Sequence, residues 1–480
     1  MDSINISSNK NRWVILFIVV MVTFMCTLDS SIVNVALPIM AKLLNITSGS
    51  IQLVVTSYLI VISATILVFG RLGDMVGKTK VFKFGIALFT LGSLFCGITG
   101  SLQVLIFARV IQGIGAAGTM ANSQGIITEV FSVNERGRAL GITGTFVALG
   151  TLIGPPLGGV IVDATSWQYI FLINVPIGIL TLFYSFKILP KGHKIVKGKL
   201  DGFGALLFMF AIVPLFVALG QGQQVGFTNP IILLSFLIAI ISFVAFIKVE
   251  KKRENPLLQL QIFKNKLFSL SIFCGFISFV AIFCSIIIQP FYLQDVMKFS
   301  PASTGLVLMI FPLILSVVSP ISGLLSDKIG SEILTFIGLV VTSFGLLLMS
   351  TLNEQSSILS MVFFIGVMSI GNGLFQSPNT SLIMSTVPKD KLGIAGSVNA
   401  LVRNLGMVCG IALATTILYS GMSYKIGYHV SDYVAGRNDA FIYGMKIVYI
   451  TAAAICIIGA ILTFLRLFRS KAKLAKTQES

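Results

Sequence analysis

The sequence predicts an all-α polytopic membrane protein: two six-helix bundles with two extra central helices, fourteen transmembrane helices in all. Three observations predict it. The 480 residues are 55% hydrophobic and 11% charged, with a mean hydropathy of +0.97, too little charge to cover the surface of a water-soluble chain of this length. Apolar runs long enough to cross a roughly 30 Å hydrocarbon core recur along the whole chain. A short loop motif also appears twice, at the same place in each half. Helices follow rather than open strands because lipid offers no partner for an unpaired backbone polar group.

The first six runs lie near 13–36, 51–70, 80–101, 103–128, 137–162 and 167–189, a bundle over 13–189. A basic stretch then leads to an inserted pair over 202–249, with runs near 202–221 and 230–249. The second six lie near 267–293, 302–325, 332–351, 357–382, 392–419 and 442–468, a bundle over 267–468. Residues 1–12 and 469–480 are expected as cytoplasmic termini, on one side because the count is even. The polar stretches around 190–201 and 250–266 are too short for a soluble domain, so no ATPase is expected. Any pumping then draws on an ion gradient or on a separate subunit.

A net charge of +17 would suit nucleic acid, but its placement argues against that partner. Most of the 34 lysines and arginines fall in loops and termini that this topology puts inside, including the tail from Arg466 to Lys476. Lys42, Lys298, Lys425, Arg437 and Lys446 are expected outside. Retention of basic loops on the cytoplasmic face sets orientation in a bilayer. Six cysteines sit singly in apolar runs with no metal or redox spacing, and read as small buried hydrophobes. The run starting at Trp13 is too long for a signal-peptide core and is expected to be retained.

The loop between the second and third runs carries Gly70, Leu72, Asp74 and Gly77. The same G-x-L-x-D-x-x-G pattern returns 253 residues later as Gly323, Leu325, Asp327 and Gly330. Matched motifs in matched loops mark an internal repeat, and transporters built from repeats bind substrate where the repeats meet. Two other patterns are decoys. Gly113, Gly115 and Gly118 match a dinucleotide fingerprint, but inside a membrane helix they are expected to let helices approach closely. Gly73 to Thr79 approximates a phosphate loop one residue too short. No cofactor is expected.

The loop at 70–80 resembles the signature loop of the major facilitator superfamily, and the chain resembles its fourteen-span drug/proton antiporters. Further resemblances run along the first half. They are Leu28-Asp29 through Asn34 to Pro38, Arg109 to Gly113, Gly150-x-x-x-Gly154-Pro155-x-x-Gly158-Gly159, and Trp167 through Asn174 to Pro176. In the second half Pro290 to Asp295 and Arg403 to Gly406 fit as well. The resemblance implies the major facilitator fold and export of lipophilic or cationic drugs in exchange for protons, with an amphiphilic small molecule as substrate. It also implies that the 150–159 segment biases toward export; residue physics alone supplies close packing at Gly150, Gly154, Gly158 and Gly159 and a bend at Pro155. Two features depart from relatives. Leu53 follows Gln52 where many have tryptophan, and the run 302–325 lacks the acidic residue of exporters of dicationic drugs.

Three ionisable residues lie well inside the runs: Asp29, Arg109 and Arg403. Such residues are functional candidates in a membrane. At ~1.5 Å per residue, Asp29 lies roughly 12 Å and Arg109 roughly 10 Å below the outer surface, with Tyr58 at a similar level and expected to line the substrate cavity. Asp29 is expected to carry the proton, its ionisation opposed by burial and favoured by a nearby arginine; the alternative is a polar residue capping a bend. Arg109 is either its coupling partner or half of a structural ion pair. Arg403, about 18 Å from the inner end of its run, fits cavity lining or structure equally. Asp74 and Asp327 are expected to meet helix N-termini across the two halves and close a cytoplasmic gate. Ser369, Asn372, Gln376 and Asn379 share one helical face, as do Ser271, Ser278, Ser285 and Gln289. These stripes either line the substrate cavity or bond neighbouring helices.

The expected function is a proton-coupled drug exporter. The alternatives are a narrower antiporter, for tetracycline, an antiseptic cation or a lipid-like metabolite, and a membrane-embedded enzyme or flippase-like protein. His193 and His429 fall in loops and no nucleophile–base set lies in the runs, which leaves the enzyme reading poorly supported. No selectivity element of a channel is evident. Nothing in the sequence decides whether an outer adaptor protein is needed.

Overall fold

The computed structural model describes residues 11–131, 133–190, 201–253, 256–388 and 392–478. Among the described residues, fourteen helices are long and apolar enough to cross a membrane. The first six are α1 (Arg12–Leu43), α2 (Ser48–Val76), α3 (Lys78–Ile98), α4 (Leu102–Val130), α5 (Arg138–Ala164) and α6 (Tyr169–Ile188). The inserted pair is α7 (Gly202–Gly222) and α8 (Pro230–Glu250). The second six are α9 (Lys266–Val296), α10 (Pro301–Ser326), α11 (Ser331–Met349), α12 (Ile358–Ser385), α13 (Ala395–Ile426) and α14 (Asn438–Leu467). The end of the bundle that holds the start of α1 is called the terminal end below, and the other the distal end.

Local chemistry sets these boundaries. Asn265 accepts from the first amides of α9, and Ser300 and Ser357 do the same for α10 and α12, offsetting donors that a helix leaves unpaired. Asn229 and Ser300 each precede a proline, the residue best suited to the first helical position. The last glycine of each repeated motif ends its helix. Gly77 has φ 111° and Gly330 φ 92°, a region that side chains with a Cβ avoid.

The second six helices repeat the packing of the first. α1 lies on α5 as α9 lies on α13, α2 on α4 as α10 on α12, and α3 on α4 as α11 on α12. Glycines make the last pair of contacts close: a Cβ on Gly115 would stand 2.3 Å from the Phe89 nitrogen, and one on Gly371 2.3 Å from the Thr342 nitrogen. The Gly113–Gly118 run is thus a packing face. Two seams join the halves, α2 against α13 and α5 against α10. The inserted pair breaks the symmetry: α7 packs on α2 and α13 and so covers one seam, while α8 leans on α7 with most of its surface outward.

Three charged residues are placed differently from the sequence reading. A π turn, Tyr292–Val296, carries α9 past Pro290, so Asp295 lies within the span and Asp29 is not the sole acid inside the helices. Arg466 belongs to α14, not to a basic tail: its guanidinium donates to Thr335 at 2.6 Å and Ser271 at 3.3 Å and is 3.9 Å from Glu332. Lys446 likewise lies within α14.

Candidate functional site

Five helices of the first half meet at Asp29. Arg109 Nη1 donates to Asp29 Oδ2 over 2.6 Å, with the two side chains 1% and 0% exposed. Gln112, one turn along α4, donates from Nε2 to Asp29 Oδ1 at 2.8 Å and accepts from Arg109 at 2.6 Å. Asn174 of α6 donates to the same Oδ1 at 2.9 Å. Arg109 Nε donates to the Val54 carbonyl of α2 at 2.9 Å. Gly92 explains how α3 joins: a Cβ there would sit 2.6 Å from the Gln112 nitrogen, and this approach brings Ser93 Oγ within 2.8 Å of Gln112 Nε2. The Arg109 guanidinium carbon lies 4.1 Å from the centre of the Tyr58 ring and 5.6 Å from that of Phe171. Tyr58, 1% exposed, is therefore a wall of the ion pair, not part of an open substrate cavity.

Isolated, either charge would be very costly at this depth; together, with Gln112, Asn174 and the Val54 carbonyl adding hydrogen bonds, the desolvation is offset. Asp29 accepts two bonds on Oδ1 and one on Oδ2, so a proton on Oδ1 would displace a donor. Proton binding and pair geometry are thereby linked. The depth estimate brought Asp29, Arg109 and Tyr58 to one level. Gln112 and Asn174 were missed as partners, because an uncharged amide carries the same signature as helix packing; the one available signal was the spacing of Arg109 and Gln112, three apart on one face.

The 150–159 segment works as a packing strip on two sides. Cβ atoms on Gly150, Gly154 and Gly158 would press on Thr27, Ser31 and Ile32 of α1. Gly159 faces the other half, 2.4 Å from the Pro301 carbonyl by the same measure, and Gly305 of α10 meets Pro155 at 2.3 Å. The strip thus also forms the α5–α10 seam.

Polar contacts between the halves gather at the distal end. Lys42 pairs with Asp295 at 2.8 Å, Gln294 donates to the Val35 carbonyl at 2.8 Å, and Asp432 accepts from Ser48 N and Oγ at 3.0 and 2.5 Å. Thr415 of α13 hydrogen-bonds Gln52 of α2. At the terminal end, Asp74 meets Lys78 at 3.6 Å, and Lys78 also holds Glu129 at 2.7 Å. Gly70 has space around it, whereas Gly323 faces Ser377. The stretch 391–396 is expected opposite Asp74; residue 391, the side chains of 392–394 and the Asp327 side chain lie outside the described residues.

The polar stripes of the second half mostly bond neighbouring groups in this conformation. Ser369 donates to the Phe311 carbonyl at 2.6 Å, Asn379 to the Ser271 carbonyl at 3.1 Å, and Ser278 to Asn372 at 3.5 Å. Gln289 is buried and donates to Ser285 on its own helix. Gln376 is only part-buried. Arg403 is also part-buried, and its Nε is enclosed without a hydrogen-bond partner.

Two six-helix bundles in matched packing, joined along two seams, with a buried ion pair inside the first bundle, define a membrane transporter of the repeat type. The sequence model of the Major Facilitator Superfamily matches residues 19–411 and 268–480. The chain belongs to that superfamily. It is 35% identical over 456 residues to the riboflavin transporter RibZ of Clostridioides difficile (strain 630), covering 95% of this chain and 97% of that one. It is 31% identical over 408 residues to the multidrug resistance protein Stp of Mycobacterium tuberculosis (strain CDC 1551 / Oshkosh), covering 85% and 76%. Among solved structures it is similar to a bacterial homologue of the human lysosomal transporter Spinster in an inward-facing, unoccupied conformation. There the TM-score is 0.67, with 17% identity over 96% of this chain and 97% of that one, a likeness of fold.

Proposed function

We propose that the protein is a proton-coupled antiporter that exports amphiphilic small molecules across a bacterial cell membrane, with both termini cytoplasmic. The observation that carries this reading is the sealed Asp29–Arg109 pair, in which the carboxylate of α1 is engaged by Arg109 and Gln112 of α4 and by Asn174 of α6. A proton arriving on Asp29 weakens the pair, and the helices it joins are then free to change their relative tilt. The distal contacts at Lys42–Asp295 and Ser48–Asp432 close the outer face. The duplicated loops with Gly70, Asp74, Gly77, Gly323, Asp327 and Gly330 gate the inner one. Relatives named as multidrug resistance proteins support a drug as cargo.

A narrower specificity is the second reading, favoured by the likeness to a riboflavin transporter along nearly the whole of both chains. Purified protein in sealed vesicles with an imposed pH gradient tests the shared mechanism. Adding a transported compound is expected to move protons in the parent and not in Asp29→Asn. Equal proton movement in the two proteins sinks the proton assignment, and a test panel that includes riboflavin separates the broad reading from the narrow one.

A further inference from the structure

Arg403 differs from Arg109 and Arg466, the most deeply buried arginines of the helices. It also lies deeper along its helix than Arg71, whose Nη2 is likewise buried without a partner but sits about 8 Å from the end of α2. Arg109 has Asp29, and Arg466 has Thr335, Ser271 and Glu332. Arg403, about 16 Å into the helix that begins at Leu392, has no hydrogen bond or ion pair to any described residue, and its Nε is buried. The adjacent Asn404, 3% exposed, also has an unpartnered Nδ2. Both vacancies are donors.

The direction of this face is set by its neighbours. Gly396, two turns earlier on the same face, looks toward Gln124 of α4 and Met384 of α12, across the space between the halves. Gly406 and Gly410, toward the distal end, press on Phe276, Phe279, Val280 and Phe283 of α9. The Arg403 face is therefore covered distally by α9 and looks between the halves on its terminal side. The acids within the spans lie elsewhere: Asp29 is held by Arg109, Asp295 by Lys42, Asp74 and Glu129 by Lys78 and Asp439 by Arg437. Glu332 stands beside Arg466, Glu250 accepts from the Leu258 amide, and Asp163 is exposed at the distal end of α5.

A guanidinium stays charged under any physiological condition. Held at this depth without a counter-charge it is costly, and a ligand that brings an anion recovers the Coulomb attraction and satisfies the donors together. Its planar fork matches a carboxylate or phosphate. We infer that Arg403 receives the acidic head of the transported molecule, so that the substrates are amphiphiles carrying a carboxylate or phosphate beside an apolar body. This rests on the transporter reading above and narrows its substrate class; it also reverses the charge preference that the drug-exporter resemblance implies.

The test is equilibrium binding, without any gradient, to the purified full chain in nanodiscs of phosphatidylcholine. Three probes share one ring: naphthylacetate, naphthylacetamide and naphthylethylammonium. The parent is expected to bind naphthylacetate at least about tenfold more tightly than either other probe, Arg403→Gln to lose that preference, and Arg403→Lys to keep part of it. Equal affinities in the parent, absence of naphthylacetate binding, or a preference retained in Arg403→Gln overturns the inference. Displacement of naphthylacetate by added phosphatidylglycerol also overturns it, giving the site to a lipid headgroup. The parent's preference is read without any variant, so a misfolded Arg403→Gln leaves the test intact. Proton movement driven by cationic compounds, together with no anion preference here, would leave proton-coupled export standing and remove this substrate class alone.

Discussion

Lys42 and Asp295 form a 2.8 Å ion pair between α1 and α9, the first helix of each six. The partners are unequal, with Asp295 5% and Lys42 58% exposed. Exposure of the lysine screens the pair, so its net worth is ~0.5–1 kcal/mol and not that of a buried bridge. Removing the charge with Asp295→Asn is expected to raise the population open at the distal end about two- to fivefold. Labelling rates of a cysteine placed at Val35, with a membrane-impermeant reagent added on the distal side, read this directly. Unchanged labelling would show that the pair does not hold the halves shut.

The Asp29–Arg109 pair has the opposite energetics because both partners are sealed. Asp29→Asn leaves Arg109 charged and buried, and is expected to cost ~3–5 kcal/mol of stability along with the loss of proton-driven transport. Neutralising both in Asp29→Asn/Arg109→Gln is expected to restore much of the stability and none of the transport. Melting in detergent, set beside vesicle transport, separates the two roles. If the double variant is no more stable than Asp29→Asn alone, the buried charge is not the source of the penalty.

These two pairs also show what was legible in the chain. The count of spans follows from apolar length, and the level of Asp29 and Arg109 from rise per residue, because both depend on one helix at a time. Partnership depends on two. The spacing of Ser369, Asn372, Gln376 and Asn379 identifies a shared face but not whether a helix or water lies against it, and for Ser369 and Asn379 a carbonyl of another helix does. Asp295 falls outside the run drawn as 267–293 because apolar character fades after Pro290, while the backbone continues through a π turn. Arg466 looks like a cytoplasmic charge until α11 and α9 supply Thr335 and Ser271 beside it.

The repeat makes a paired prediction. Gly85 and Gly92 on α3 recur 253 residues later as Gly338 and Gly345 on α11, the same offset as the loop motif, and each meets backbone of the next helix. Gly115→Ala and Gly371→Ala place a Cβ about equally close to a neighbouring backbone nitrogen. Backbone has little room to yield, so each is expected to cost ~1–3 kcal/mol. Thermal melting of the two variants is the measurement. A large loss in one and none in the other would mean that the two halves do not share this packing.

Gly159 differs from its neighbours in the same strip, because the contact it makes crosses between the halves. A Cβ on Gly154 meets the Ser31 hydroxyl, which can rotate away, then the Ser31 Cβ at 2.8 Å and the Ile32 nitrogen at 3.1 Å, all of α1. A Cβ on Gly159 meets the Pro301 carbonyl at 2.4 Å and the Ala302 Cα at 3.0 Å, both backbone of α10. Gly154→Ala thus strains contacts within one half, whereas Gly159→Ala strains a contact that exists only while the α5–α10 seam is closed. Overpacking of ~1–2 kcal/mol there falls on one conformation, and is expected to raise distal opening about five- to thirtyfold. The same cysteine at Val35 reports it. Faster labelling in Gly159→Ala, with Gly154→Ala near the parent, is the expected pattern; equal labelling in all three would mean that the seam stays in place through the transport cycle.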